Sequence, residues 1–308
     1  MTTLVRFPAT TEILDITRKA LLGTDVHAGM GHLRESLRGL RAHLSPCDWK
    51  AVCEEAQRHP VHSLLLESPF TQRAFAKPRG YAGDAVLMDL IYGAPPDGQS
   101  LSPLGGMLYG YEFDSPCFQS VRTRRAVLAR EIDDIGARRR QARVMSVACG
   151  HLREIEWSRA ARRGDISVTA IDQDRDSLDV VGRQYGGYAV SALPATVGDL
   201  LRRSLRVTDV DLAYAAGLYD YLEDDVARAL TATLFRMLRP GGRVLVANFT
   251  PATRDAAFME AIMDWRLVYR TTDDVRALAA TIPADEIATI DQFSDENGHI
   301  TYMRVEKR

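Results

Sequence analysis

Apolar positions fall at three- and four-residue spacing through the first third of the chain, which predicts helices. Residues 9–22 carry Ile13, Leu14, Ile16, Leu21 and Leu22 at that spacing, and residues 30–44 carry Met30, Leu33, Leu37, Leu40 and Leu44. Ser45-Pro46 then opens a third helix around Trp49, Val52 and Ala56, with Ser45 as cap and Pro46 at the first helical position. A short helix follows at 61–66. Residues 70–93 read as a Pro/Gly-punctuated loop that enters a helix at Asp84, and Gly93–Gly106 as a linker or lid.

Beyond Ser115 the pattern changes. A long amphipathic helix is predicted over 116–136. Apolar runs at 143–148, 166–171, 209–215 and 243–249 then alternate with helical stretches at 151–162, 174–185 and 223–238. Such alternation predicts a mostly parallel sheet covered on both faces. The end of the chain reads as two strands around Asn297-Gly298, a hairpin signal that makes the last strand antiparallel. The expected organisation is a helical cap over 1–114 and an α/β domain over 115–308.

Composition narrows the function classes. With 39 basic and 41 acidic residues the net charge is −2, without the basic excess of many nucleic-acid binders. Only Lys19, Lys50, Lys77 and Lys307 are lysines, so single arginines carry little weight as signals. Arg138–Arg140 read as the end of the long helix, complementing its dipole. Apolar runs stay well short of the ~20 residues of a membrane span, and the start lacks a secretory pattern. Cys47, Cys53, Cys117 and Cys149 form neither a disulfide framework nor a zinc motif. A cytoplasmic, metal-independent protein without nucleic-acid partners, monomeric or a homodimer, is expected.

The chemistry concentrates at strand ends. Val144–Val147 is a strand, Ala148-Cys149-Gly150 a tight turn, and a helix starts near His151. Ligands of open α/β sheets bind at such carboxyl ends. Asp172 ends the next strand, placed to accept from a ribose diol, and Gln173 follows it. Asp199-Leu200 follows a third apolar segment, where a carboxylate can accept from an adenine amino group. Ala216 closes the fourth strand, and Gly217–Leu222 brings Tyr219 and Asp220 to the same edge.

These elements resemble the class I S-adenosylmethionine-dependent methyltransferases over about 120–308. The turn at 148–150 matches their cofactor loop, Asp172 their ribose acid, Asp199-Leu200 their adenine-edge element, and Leu238-Arg239-Pro240-Gly241-Gly242 their motif before the fifth strand. The chain departs from the pattern at Ser146, where an acid is usual, and at Ala148 and Leu152, where glycines are usual. Leu152 also speaks against a dinucleotide-binding GxGxxG loop. Phe75–Asp84, Gly217–Leu222 and Asp264–Arg270 look like a bacterial subfamily that includes enzymes making methyl esters of 3-hydroxy fatty acids as quorum signals.

The resemblance implies a Rossmann-like methyltransferase sheet with S-adenosylmethionine as cofactor and a small-molecule acceptor methylated on a carboxylate or hydroxyl. N-methylation of a specialised metabolite, and a cofactor-binding regulator without turnover, are the alternatives. Expected cofactor contacts are Tyr81, Ala148, Cys149, Gly150, Asp172, Gln173, Asp199, Leu200 and Ala216. Asp220, His151 and Tyr219 are the expected catalytic residues. Lys77, Arg79, Tyr219, Trp265, Tyr269 and Arg270 are the expected acceptor contacts, with Trp265, Tyr269 and Arg270 on a helix-like stretch.

Overall fold

The structure, a computed structural model, describes residues 8–94, 100–202, 205 and 207–308. It divides into two compact units: residues 8–119 with Thr253–Arg266, and Ser120–Ala252 with Leu267–Arg308.

The first unit is helical. It holds α1 (Pro8–Leu22), α2 (Val26–His43), α3 (Pro46–Arg58), α4 (Val61–Leu65), α5 (Pro69–Ala76), α6 (Ala85–Ile91) and α7 (Pro103–Phe113). Side chains cap their starts: Asp25, Ser45, Ser68, Asp84 and Ser102 each accept a backbone N–H of the first turn, each contributing about 1 kcal/mol. The core takes Leu14, Leu21, Met30, Leu33, Leu37, Val52 and Ala56. Ile16 (46% exposed) and Leu22 (58%) stay outside, because the buried stripe of α1 runs through Leu14, Thr17 and Leu21. Thr17 fits there by donating its hydroxyl to Ile13 O at 2.8 Å. The expected linker ends early: Pro103 already starts α7, and residues 95–99 lie outside the described residues.

The division between the units falls within α8 (Pro116–Arg138), at Gln119/Ser120 rather than at 114/115. The second unit is built on β1 (Ala142–Val147), α9 (Arg159–Arg162), β2 (Ile166–Asp172), α10 (Arg175–Gln184), β3 (Val190–Pro194), α11 (Val197–Leu201), β4 (Val210–Ala215), α12 (Asp224–Met237) and β5 (Leu238–Phe249). After Ala252 the chain contributes α13 (Ala256–Ile262) to the helical unit, then returns for α14 (Thr272–Ala277), β6 (Ile287–Ser294) and β7 (Ile300–Lys307).

Polar anchors explain why α13 belongs to the helical unit. Glu260 accepts from Trp49 Nε1 at 2.7 Å and from both ends of the Arg41 fork. Arg34 pairs with Asp255 at 3.0 Å, and His62 Nε2 meets Ile262 O at 2.8 Å. Every one of these partners lies about 200 residues away in sequence, beyond the reach of any local pattern.

The described strands form one seven-stranded sheet in the order β3-β2-β1-β4-β5-β7-β6. The first five are parallel, and β7 runs antiparallel between β5 and β6. Strand β5 starts five residues before the expected 243, across Pro240-Gly241-Gly242. The register with β4 shifts there. A Cβ on Gly242 would stand 2.7 Å from Val210 O, so only glycine lets the two backbones meet. The helix expected over 151–162 is instead a 3-10 turn at Arg153–Glu156 followed by α9. Ser158 interrupts it, capping α9 by accepting from Ala161 N and donating to Asp133. The arginines ending α8 pair with acids of the sheet, Arg138 with Glu306 and Arg139 with Asp211, both at 3.5 Å.

Candidate functional site

The carboxyl edge of β1 carries the most unusual backbone in the sheet unit. Ala148, Gly150 and Leu152 all have positive φ, at +51°, +52° and +54°. Glycine adopts this conformation freely, whereas alanine and leucine there are strained by roughly 1–2 kcal/mol each. The two glycines absent from the sequence pattern are therefore absent in residue type only. Their backbone geometry is retained. Strain held at a strand end is a pointer to function.

Asp172 fastens this turn. Its Oδ2 accepts from Gly150 N at 2.8 Å and its Oδ1 from Asp174 N at 2.9 Å. Burial pushes its carboxyl above the usual range, against these N–H groups and that of Gln173. A carboxylate offers about four acceptor positions, so the group keeps capacity for a ribose hydroxyl. Gln173 beside it is exposed. Cys149 is buried in the turn, and desolvation, then the neighbouring Asp172 and Glu154, raise its thiol well above the usual value. It stays a protonated packing group rather than a nucleophile.

The missing acid of β1 has a counterpart nearby. Ser146 pairs in register with Tyr214 of β4. Tyr214 OH donates to Glu154 Oε1 at 2.5 Å, and Ser146 hydrogen-bonds the same phenol. Burial raises the Glu154 carboxyl, while Tyr214, Arg124 and Arg125 oppose that. A carboxylate thus reaches the β1–β4 seam from the 3-10 turn instead of from the strand.

Several expected residues do other work. Asp199 closes a capping box on α11: its Oδ2 accepts from Thr196 N and Oγ1, and its Oδ1 from Arg202. Those bonds, led by the Thr196 hydroxyl, hold its carboxyl down at about 2. Leu200 is a core side chain of the sheet unit. Tyr219 is fully buried, with its hydroxyl on Thr231 Oγ1 at 2.9 Å. Asp220 is buried and accepts Phe249 N at 2.6 Å, while its backbone oxygen accepts Val268 N. It ties the end of β4 to the end of β5, and burial pushes its carboxyl up to about 6.

Arg270, expected on an acceptor, is 2% exposed. Its fork donates to Tyr219 O, Leu222 O, Asn248 Oδ1 and Asp224 Oδ1, at 2.6 to 3.0 Å. The corrections for Tyr219, Asp220 and Arg270 share one cause: they knit the loop after β4 to the loop after β5. The helix-like stretch at 264–270 is irregular chain, because Val268 N and Arg270 N bond Asp220 O and Phe249 O. Tyr269 is half-buried within it. His151, instead of facing solvent in a first helical turn, is buried in the cofactor-loop turn.

The remaining expected residues lie in the helical unit. Lys77 ends α5 in the left-handed region, and its ammonium pairs with Asp264 at 2.5 Å. Arg79 and Tyr81 are half-buried in the turn that follows. Asp84 ends that turn, capping α6 and taking both arms of Arg73. Trp265 packs beside Phe70. Sequence reasoning missed the cluster at the β6–β7 turn, where Ser120 Oγ donates to Asp295 at 2.6 Å and lies 3.3 Å from His299 Nδ1. Its members are too far apart in sequence to form a motif. Among the described residues, no group of three or more His, Cys, Asp or Glu side chains is arranged to hold a metal ion.

Residues 144–242 match the family model described as a methyltransferase domain. No curated protein matches the chain. Among solved structures, a possible exported protein from Bordetella parapertussis is similar over 97% of this chain and 95% of its own, with 16% identity and a TM-score of 0.60. A TehB-like SAM-dependent methyltransferase from Corynebacterium glutamicum covers 58% of this chain and 86% of its own, with 17% identity and a TM-score of 0.42. The N-methyltransferase NodS from Bradyrhizobium japonicum WM9, in complex with S-adenosyl-L-homocysteine, covers 63% and 89%, with 14% identity and a TM-score of 0.45. The likeness along the whole chain, at 16% identity, is one of fold: a Rossmann-like methyltransferase sheet with an N-terminal helical region.

Proposed function

We propose that this protein is an S-adenosylmethionine-dependent methyltransferase of a small molecule, and that the acceptor atom is a carboxylate oxygen. The observation that carries the reading is the run of left-handed residues at 148, 150 and 152, fastened by Asp172 inside the segment that matches the methyltransferase domain. Strain at two non-glycine positions is a cost, and a cofactor cradle supplies a reason to keep it.

S-adenosylmethionine, when bound, supplies an electrophilic sulfonium methyl. The chain's own residues position and desolvate. Asp172 accepts from the ribose. The turn at 148–152, without bulky side chains at 148 and 150, lets a ligand approach the backbone. Gln173 and Ala216 border it on either side. Positioning of this kind is enough where the acceptor is already nucleophilic.

The engagement of Asp220 supports a carboxylate acceptor. A hydroxyl acceptor needs a base within hydrogen-bond reach, and Asp220 is committed to the Phe249 amide. A carboxylate is ionised near neutral pH and needs none. A fatty-acid-like acid fits the subfamily resemblance. The test is transfer of labelled methyl from S-adenosylmethionine to a panel of carboxylic and 3-hydroxy acids, with products read by mass spectrometry. Methyl esters are expected, with kcat/KM lacking a limb from an enzyme base. Methylation of hydroxyl or amine groups alone would refute the carboxylate assignment, and cofactor binding with no transfer would refute the enzyme reading.

A further inference from the structure

The sheet unit buries a cation at its carboxyl edge that the reading so far leaves without a task. Arg124 of α8 is 5% exposed. Its Nη1 donates to Ala216 O at 2.7 Å, just past the end of β4. A Cβ placed on Gly217 would lie 3.7 Å from both Nη1 and Nη2, so the fork is packed under the Ala216–Gly217 backbone. The same charge reaches Glu154 beyond β1 and Asp220 beyond β4, where it favours both ionised forms. Arg124 therefore stands where the ends of β1 and β4 converge.

The strand order gives this position a meaning. From the edge inward it runs β3, β2, β1, β4. Asp172 ends β2, and the left-handed turn follows β1. An adenosyl ligand with its ribose on Asp172 and its sulfur over that turn directs its amino-acid arm on toward β4. Strands β2 and β4 are two spacings apart, about 10 Å, a span of the same order as the six-bond arm from ribose to carboxylate. That arm ends in a carboxylate, which a guanidinium matches in charge and planar geometry.

We infer that Arg124 binds the α-carboxylate of the cofactor, with Glu154 as the counter-charge that positions it. The inference rests on the methyltransferase reading and adds the residue that distinguishes the whole cofactor from its nucleoside half. Glu154 suits its part because Tyr214 pins it and Tyr214 is itself held by Ser146. Serine in place of the usual β1 acid leaves room for this arrangement. Arg125, the neighbouring arginine, is engaged elsewhere, with its guanidinium 3.8 Å from the Trp157 ring centre.

The experiment is calorimetric titration of the full chain with two ligands, S-adenosylhomocysteine and 5′-methylthioadenosine, which lacks the amino-acid arm. Arg124→Gln is expected to weaken S-adenosylhomocysteine at least 30-fold and 5′-methylthioadenosine less than 3-fold. Arg125→Gln is expected to change either ligand less than 3-fold. Equal losses for both ligands in Arg124→Gln would make Arg124 a structural residue and overturn the inference, as would no loss for either. If Arg124→Gln does not fold, the wild-type protein decides with the carboxamide of S-adenosylhomocysteine: binding at least 10-fold weaker supports the inference, and equal binding overturns it. A wild-type protein that binds none of these ligands overturns the methyltransferase reading itself.

Discussion

Replacing Ala148 with glycine is expected to stabilise the protein, which is the reverse of the usual effect of glycine. Ala148 has φ +51° and its side chain is exposed, so the substitution removes no buried contact. Relief of left-handed strain is worth roughly 1–2 kcal/mol. Against it stands the extra freedom of glycine in the unfolded chain, roughly 0.5–1 kcal/mol. The net is a gain of about 0.5–1 kcal/mol. For a chain of this size that raises the thermal midpoint by only ~1–2 °C, so a urea midpoint with an unchanged slope is the better readout. Leu152→Gly relieves the same strain at φ +54°, but Leu152 is 1% exposed. Losing its burial and leaving a cavity costs about 3 kcal/mol or more, so this variant should be destabilised by at least ~1 kcal/mol. Ala148→Val, with a branched β-carbon at positive φ, should also lose stability. A lower midpoint for Ala148→Gly, or an unchanged one for Ala148→Val, would show that residue 148 is not left-handed in solution and would remove the strain argument.

Asp172→Ala should weaken S-adenosylhomocysteine by at least ~10-fold in calorimetry, since charge-assisted hydrogen bonds to the ribose are lost; unchanged affinity would take Asp172 out of the site. Glu112 is buried, with Ser68 and Thr71 hydroxyls on its oxygens at 2.5 Å, and burial pushes its carboxyl to about 7, with Arg34 opposing and Asp255 reinforcing. A raised folded value means the contribution is fully present below about 4.5 and is lost as pH rises through about 7. Urea midpoints of wild type should therefore fall between pH 5 and 8, Glu112→Gln should flatten that fall, and parallel profiles would refute it. Arg270→Ala should destabilise the protein by ~3–5 kcal/mol, because Asp224, Asn248 and two carbonyls lose a buried partner; wild-type stability with a raised acceptor KM would return Arg270 to the acceptor site.

Much of the architecture was legible in residue order. Apolar runs alternating with helical stretches are enough to specify a parallel sheet, because both periods are local consequences of backbone geometry. Asn297-Gly298 marked the antiparallel end, Ser45-Pro46 the start of α3, and Asp172 the strand end that faces the turn at Gly150. The tertiary structure alone decided the rest. Nothing in the residue types Ala148 and Leu152 announces positive φ; the surrounding contacts impose it, including a buried site for the leucine side chain. Tyr219, Asp220 and Arg270 read as site residues because a polar side chain at a strand end has the same sequence signature whether it meets a ligand or a neighbouring loop. Their partners decided which, and the carbonyls of Tyr219 and Leu222 and the Phe249 amide claimed them. The same limit hid the place of α13, since Glu260 meets Trp49 across 211 residues. Sequence periodicity reports which face of an element is apolar, and only packing determines what that face, or a charge beside it, will touch.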